Sequence, residues 1–113
     1  MTRYVVGVDG GTTKTIALVA DDEGHILGAG RSGNSNWTGP DVEIPMAVVA
    51  EAVRQALGAA GLSGEDIEQG AFALAGADWP EDHVRREAVL SRAGIARRVL
   101  VACGPVSASP GEP

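Results

Sequence analysis

Cysteine is nearly absent from this 113-residue chain, where Cys103 stands alone. A single thiol excludes an internal disulfide framework and a cysteine-built metal cluster within one chain, and it fits a reducing compartment. Basic residues are also scarce. Nine Lys and Arg face fifteen Asp and Glu, a formal net charge of -6. Nucleic acid and anionic membrane both select basic faces, so neither is an expected partner. Small phosphorylated ligands stay open, because a few backbone N–H groups hold a phosphate even in an acidic protein. No apolar run reaches the ~18 residues of a membrane helix. Nor does the N-terminus read as a signal peptide, since only a short apolar stretch separates Arg3 from Asp9. The expected location is cytoplasmic. What remains is globular: 44% hydrophobic and 21% charged residues suit one domain with a core of its own.

The apolar, β-branched run over residues 3–9 predicts a buried strand, broken by Gly10 and Gly11. Thr15 to Ala20 predicts a second strand. The Asp21-Asp22-Glu23-Gly24 turn then leads to a third over His25 to Gly30. Arg31 to Pro40 is polar and glycine-rich, hence a loop. From residue 41 the period changes. Val42, Met46, Val49, Ala52, Val53, Ala56 and Leu57 fall on one face of a helix. Asp41 is the expected N-cap, Pro45 belongs in the first turn, and Gly61 is the stop. Ser63-Gly64-Glu65-Asp66 has the form of a helix start, giving a short turn of helix before a strand over Ala71 to Ala75. Pro80 suits the first position of a helix to about Ala93, with Gly94 ending it and a last strand over Val99 to Ala102. The order β-β-β-α-β-α-β predicts an α/β fold, a mixed sheet with helices packed on it.

Val8 to Thr15, V-D-G-G-T-T-K-T, concentrates the chemistry. It is neither a Walker A loop nor a dinucleotide fingerprint, since both need a helix next and a strand follows here. A strand–turn–strand loop can still hold phosphate. Glycines admit close approach, successive N–H groups form an anion nest, and Thr12, Thr13 and Lys14 add donors and charge. Asp9, at the strand's end, is placed to hold Mg²⁺ directly or through water. The same residues also suit a plain β-hairpin, because Asp-Gly-Gly is good turn chemistry. The residues alone leave both readings open.

V-G-V-D-G-G-T-T-K-T resembles the first phosphate motif of the acetate and sugar kinase, heat-shock-70 and actin superfamily. D-D-E-G-H-I-L-G-A-G, S-G-N-S-N and F-A-L-A-G-A-D-W-P-E-D follow in the order of one branch of it, the N-acetylglucosamine kinases grouped with the BadF/BadG/BcrA/BcrD ATPases. The similarity runs over residues 4–102. It implies a ribonuclease H-like, actin-like ATPase domain over residues 1–102. It also implies an ATP- and Mg²⁺-dependent kinase acting on a hydroxyl of an amino sugar or hexose. Asp9, Gly10, Gly11, Thr12, Thr13 and Lys14 would embrace the ATP phosphates and Mg²⁺. Asn34, with Asn36 as the fallback, would contact sugar, and Asp78 would lie near the substrate. Trp37 and Trp79 flank the implied cleft, where each either stacks on a sugar or is half buried. His25 and His83 are expected to be structural or solvated. Arg85, Arg86, Arg92, Arg97 and Arg98 are expected on a solvated face.

Two departures qualify the resemblance. Family members carry two such domains around a cleft and pair as homodimers, whereas the likeness here covers only the first domain. In the family, the last strand is followed by Asn-Asp-Ala, whose Asp is the general base. Here Cys103 and Gly104 stand in that place, and neither does an aspartate's work. No catalytic residue is therefore assigned. Residues 103–113, rich in Pro, Gly and Ser, read as a disordered tail outside the family pattern, as in a truncated or frame-shifted product of a longer gene. The chain alone is then expected to be inactive. Two other functions stay open. One is an ATPase activator of the 2-hydroxyacyl-CoA dehydratase or benzoyl-CoA reductase type, for which one cysteine is thin support. The other is a non-catalytic sugar- or nucleotide-binding remnant.

Overall fold

Along Tyr4–Gly10 (β1), Val6, Val8 and Gly10 turn inward while Val5, Gly7 and Asp9 face out, the period of two that a strand imposes. The computed structural model describes residues 2–35, 41–75 and 80–103. Its further elements are β2 (Thr15–Asp21), β3 (Ile26–Ser32), α1 (Glu43–Ala60), a single 3-10 turn (Gly64–Asp66), β4 (Ile67–Leu74), α2 (Pro80–Arg92) and β5 (Val99–Cys103). The order is the expected β-β-β-α-β-α-β.

The five strands form one mixed sheet in the order β3-β2-β1-β4-β5. β1, β2 and β3 are an antiparallel meander, while β4 and β5 run parallel to β1. Register sets one row at the carboxyl end of β1: Ser32, Thr15, Gly10, Leu74 and Cys103 stand side by side across all five strands. Neighbouring strands lie about 4.8 Å apart, so Cys103 sits roughly 10 Å from Gly10 at backbone level.

Val6, Val8, Ala17, Val19, Phe72 and Leu74 from the sheet meet Met46, Val49, Val53 and Leu57 of α1 and Leu90 of α2, all buried. α1 packs chiefly over β3 and β2, and α2 over β5. The α1 contact is unusually close. A Cβ on Gly28 would fall against the Ala56 carbonyl oxygen, and one on Gly30 against that of Ala52. Two glycines on β3 facing Ala52, Ala56 and Ala60 on the helix let the two backbones nearly touch. On the opposite sheet face, Val5, Leu18 and Leu100 remain exposed.

Two local expectations change. The helix cap is Val42 rather than Asp41, and the Asp41 carboxylate accepts the N–H of Glu43 at 2.9 Å. Pro45 lies in the first turn, where no intrahelical donor is needed. β4 begins at Ile67, four residues before the expected strand. The Asp66 carboxylate accepts both the N–H and the hydroxyl of Ser63 and completes its turn in three residues. The chain is then extended in time to pair with Tyr4. Gly61 ends α1 at φ 72°, a left-handed conformation that favours glycine.

Candidate functional site

The β1–β2 connection is a four-residue turn. The N–H of Gly11 donates to the Lys14 carbonyl at 2.9 Å, leaving Thr12 and Thr13 at the tip. Thr12, Thr13 and Lys14 are all exposed. Among the described residues, none of their N–H groups donates a backbone hydrogen bond. Asp9 stands beside them on the face away from the helices, level with Ile16 and Ala73. Asp9, Gly11, Thr12, Thr13, Lys14 and Ile16 line an open depression of about 240 Å³.

The two glycines of the turn have different reasons. Neither has a left-handed backbone. A Cβ on Gly10 would come within 2.6 Å of Ser35 Oγ and 2.7 Å of Leu74 Cδ2, so packing favours glycine there. At Gly11 the nearest atom to a Cβ would be the Lys14 carbonyl oxygen at 3.6 Å, an ordinary contact. The fold does not require glycine at 11. Gly11 is among the residues that line the depression.

Neighbouring segments clamp the turn. The Ser35 N–H donates to the Gly11 carbonyl at 3.2 Å. The Thr15 hydroxyl lies 2.8 Å from both the Gly33 carbonyl and Ser35 Oγ. It has one hydrogen and a carbonyl only accepts, so Thr15 donates to Gly33 and Ser35 donates to Thr15. Thr15 and Ser35 are buried. On the other side, the Ala75 N–H donates to the Gly10 carbonyl at 2.9 Å. Beyond it, Arg86 of α2 reaches the Leu74 carbonyl at 3.3 Å and the Ala75 carbonyl at 2.6 Å.

Asp9 to Lys14 therefore form one contiguous surface, with Asn34, exposed, one residue from the Ser35 clamp beside it. Asn36, Trp37, Asp78 and Trp79 lie outside the described residues. Arg86 corrects the expectation of a solvated face: it is fully buried, whereas Arg85, Arg92, Arg97 and Arg98 are exposed. Its spacing held the signal, since Arg86 precedes Val89 and Leu90 by three and four residues, on the face that α2 buries. Thr15 and Ser35 were missed as well. Thr15 carried a cue as a polar residue at an inward strand position; Ser35 sits in a loop with no period to betray it.

Among the described residues, no group of three or more His, Cys, Asp and Glu converges on a metal site. The lone carboxylate of Asp9 nevertheless suits Mg²⁺, which takes one or two protein carboxylates and completes its shell with phosphates and water. A second groove, of about 260 Å³, lies between α1 and α2, lined by Met46, Ala50 and Val89 among others, and shares no lining residue with the depression. No described helix is long and apolar enough to cross a membrane.

Residues 6–103 match the model of the BadF/BadG/BcrA/BcrD ATPase family. The chain belongs to that family. Within it, the chain is 36% identical over 81 residues to glucosamine kinase GspK of Vibrio cholerae serotype O1, covering 70% of this chain and 27% of the kinase. It superposes with a TM-score of 0.57 on a crystal structure from Chromobacterium violaceum provisionally assigned as an N-acetylglucosamine kinase. That match covers 89% of this chain and 35% of the other at 24% identity, which shows the shared fold, a mixed sheet with helices packed on it. The chain thus spans about a third or less of the length of these relatives. The family is one of ATPases, and sugar kinases are among the chain's homologues.

Proposed function

We propose that this domain is the phosphate-holding half of an ATP-dependent sugar kinase acting on an amino sugar or hexose. The observation that carries the reading is Gly11. Its lack of a side chain serves neither a left-handed backbone nor packing, yet it lines a depression shared with two exposed threonines, a lysine and a carboxylate. A bare hairpin needs none of this.

In this reading the N–H groups of Thr12, Thr13 and Lys14 form the nest for the β- and γ-phosphates, and the two hydroxyls and the Lys14 ammonium add donors. Asp9 holds Mg²⁺ directly or through water. ATP supplies the transferable phosphoryl group; the chain's own residues bind and orient it. Asn34, or Asn36 in its place, and Asp78 are the proposed sugar contacts.

The family resemblance places the general base where this sequence has Cys103 and Gly104; Cys103 stands in the row of Gly10, and no Asp follows Asp82. The 113-residue chain is proposed to hold nucleotide without transferring phosphate by itself; the family match ends at Cys103. Calorimetric titration of the full chain with Mg-ATP, then with glucosamine and N-acetylglucosamine, tests this. One-to-one Mg-ATP binding that weakens on Lys14→Ala supports it. Failure of the wild-type chain to bind Mg-ATP refutes it.

A further inference from the structure

Arg86 is the largest fully buried side chain among the described residues. Burying a guanidinium is costly unless it makes strong hydrogen bonds, so its partners show what the cost secures. Two of them are backbone carbonyls at the carboxyl end of β4, those of Leu74 and Ala75, at 3.3 and 2.6 Å. The same two residues press on the turn from below. Leu74 is level with Gly10, and its Cδ2 fills the space a Gly10 Cβ would need. Ala75 donates its N–H to the Gly10 carbonyl at 2.9 Å.

We infer that Arg86 is a positioning residue for the phosphate turn: through the Leu74 and Ala75 carbonyls it fixes the backbone of Gly10 and Gly11. This rests on the proposed role of that turn. The planar fork is what suits Arg to the task, because its two terminal nitrogens reach two successive carbonyls at once; a lysine ammonium offers one compact donor centre. The peptide linking Leu74 to Ala75 is thereby held from one side by Arg86, and Ala75 holds Gly10 on the other. Any tilt of that peptide moves the Gly10 carbonyl and, with it, the Gly11 N–H and the open face above.

The test uses the full chain and Mg-ATP, with R86M and R86K compared well below their melting temperatures. R86M removes both donors and is expected to weaken Mg-ATP binding by about tenfold, as loss of charge-assisted hydrogen bonds allows. It should also shift the amide resonances of Gly11 and Ala75 while that of Gly24, in the β2–β3 turn, stays. R86K keeps the charge but not the fork, so it remains several-fold weaker than wild type; it also decides the matter if R86M does not fold. Wild-type affinity in either folded variant overturns the inference, as does weakened binding with an unmoved Gly11 amide. A wild-type chain that binds no Mg-ATP sinks the phosphate-turn reading itself, a result distinct from normal binding by the variants.

Discussion

Alanine at position 10 and alanine at position 11 should fail in different ways. At Gly10 the new methyl meets Ser35 Oγ and Leu74 Cδ2 at 2.6 and 2.7 Å, well inside contact distance. One partner belongs to the Thr15–Ser35–Gly33 network and the other is a fully buried core residue. Overpacking of this kind costs about 1–3 kcal/mol. Stiffening of the unfolded chain by Gly→Ala returns about 0.4–1 kcal/mol. A net loss of about 1–2 kcal/mol lowers the melting temperature of a domain this size by roughly 4–15 °C. At Gly11 the methyl makes only an ordinary contact with the Lys14 carbonyl oxygen, and the backbone is not left-handed. Only the unfolded-state effect remains, so G11A should melt at or slightly above the wild-type temperature. Its methyl, however, enters the depression shared with Asp9, Thr12, Thr13 and Lys14. Mg-ATP affinity should fall at least about tenfold, equivalent to about 1.4 kcal/mol. Circular-dichroism melts and calorimetric titration read the two effects separately. If G11A melts as low as G10A, or binds Mg-ATP like wild type, residue 11 is not glycine for the sake of a ligand.

Other consequences follow from single contacts. Gly30→Val places side-chain atoms against the Ala52 carbonyl of α1, and thermal melts should show a loss of more than about 3 kcal/mol or no folded state. Ser35→Ala removes the hydroxyl that donates to buried Thr15 and should lower stability by about 1–2 kcal/mol in urea unfolding, with a smaller effect in the T15V/S35A pair than the sum of the two changes. The Asp21 carboxyl is held below the ordinary aspartate value, first by the His25 N–H, then by the His25 ring and the Glu23 N–H, against a desolvation that raises it. A depressed folded value contributes stability above the ordinary aspartate value, and that contribution is lost as pH falls through the folded one. D21N should therefore flatten the acid limb of the stability–pH curve, and an unchanged limb would refute the assignment. Raising salt from about 10 to 150 mM should speed Mg-ATP association, because screening relieves repulsion between an anionic ligand and an acidic chain; a basic cleft gives the opposite slope in stopped flow.

Much of the fold was legible because its signals are local. Alternation in β1 and β2, the 3- and 4-residue steps of α1, and Gly61 each announce themselves within a few residues. The start of β4 did not. Ser63 to Asp66 carries the same cue whether it opens a long helix or a single turn, and pairing of Ile67 with Tyr4 across the sheet makes the choice. In the site, Asp9 to Lys14 were legible as a motif because their chemistry is contiguous in sequence. The clamps were not. Ser35 reaches Gly11 across 24 positions, and Arg86 reaches the turn through two backbone carbonyls, so neither leaves a pattern of residue types. Arg86 was misread for a further reason. Composition treats arginine as surface, and only its place three and four residues before Val89 and Leu90 speaks against that.

The charge of the chain bears on how such an edge works. A net charge of -6 opposes an incoming polyphosphate at long range, so attraction must come from groups close enough to act within a Debye length, about 10 Å at 0.1 M salt. Backbone N–H groups meet that requirement without adding net charge, provided they are fixed before the ligand arrives. Fixing them falls to Ser35 on one side and to Ala75, held by Arg86, on the other. In the proposed role this division fits the burial: Ser35 and Arg86 are buried and Ala75 half-buried, while Thr12, Thr13 and Lys14 are exposed. Donors must face solvent to be reached, and their scaffold must be dry to be rigid. A turn held this way can carry anion recognition on an acidic domain with one lysine, where a cleft relying on basic side chains would need several.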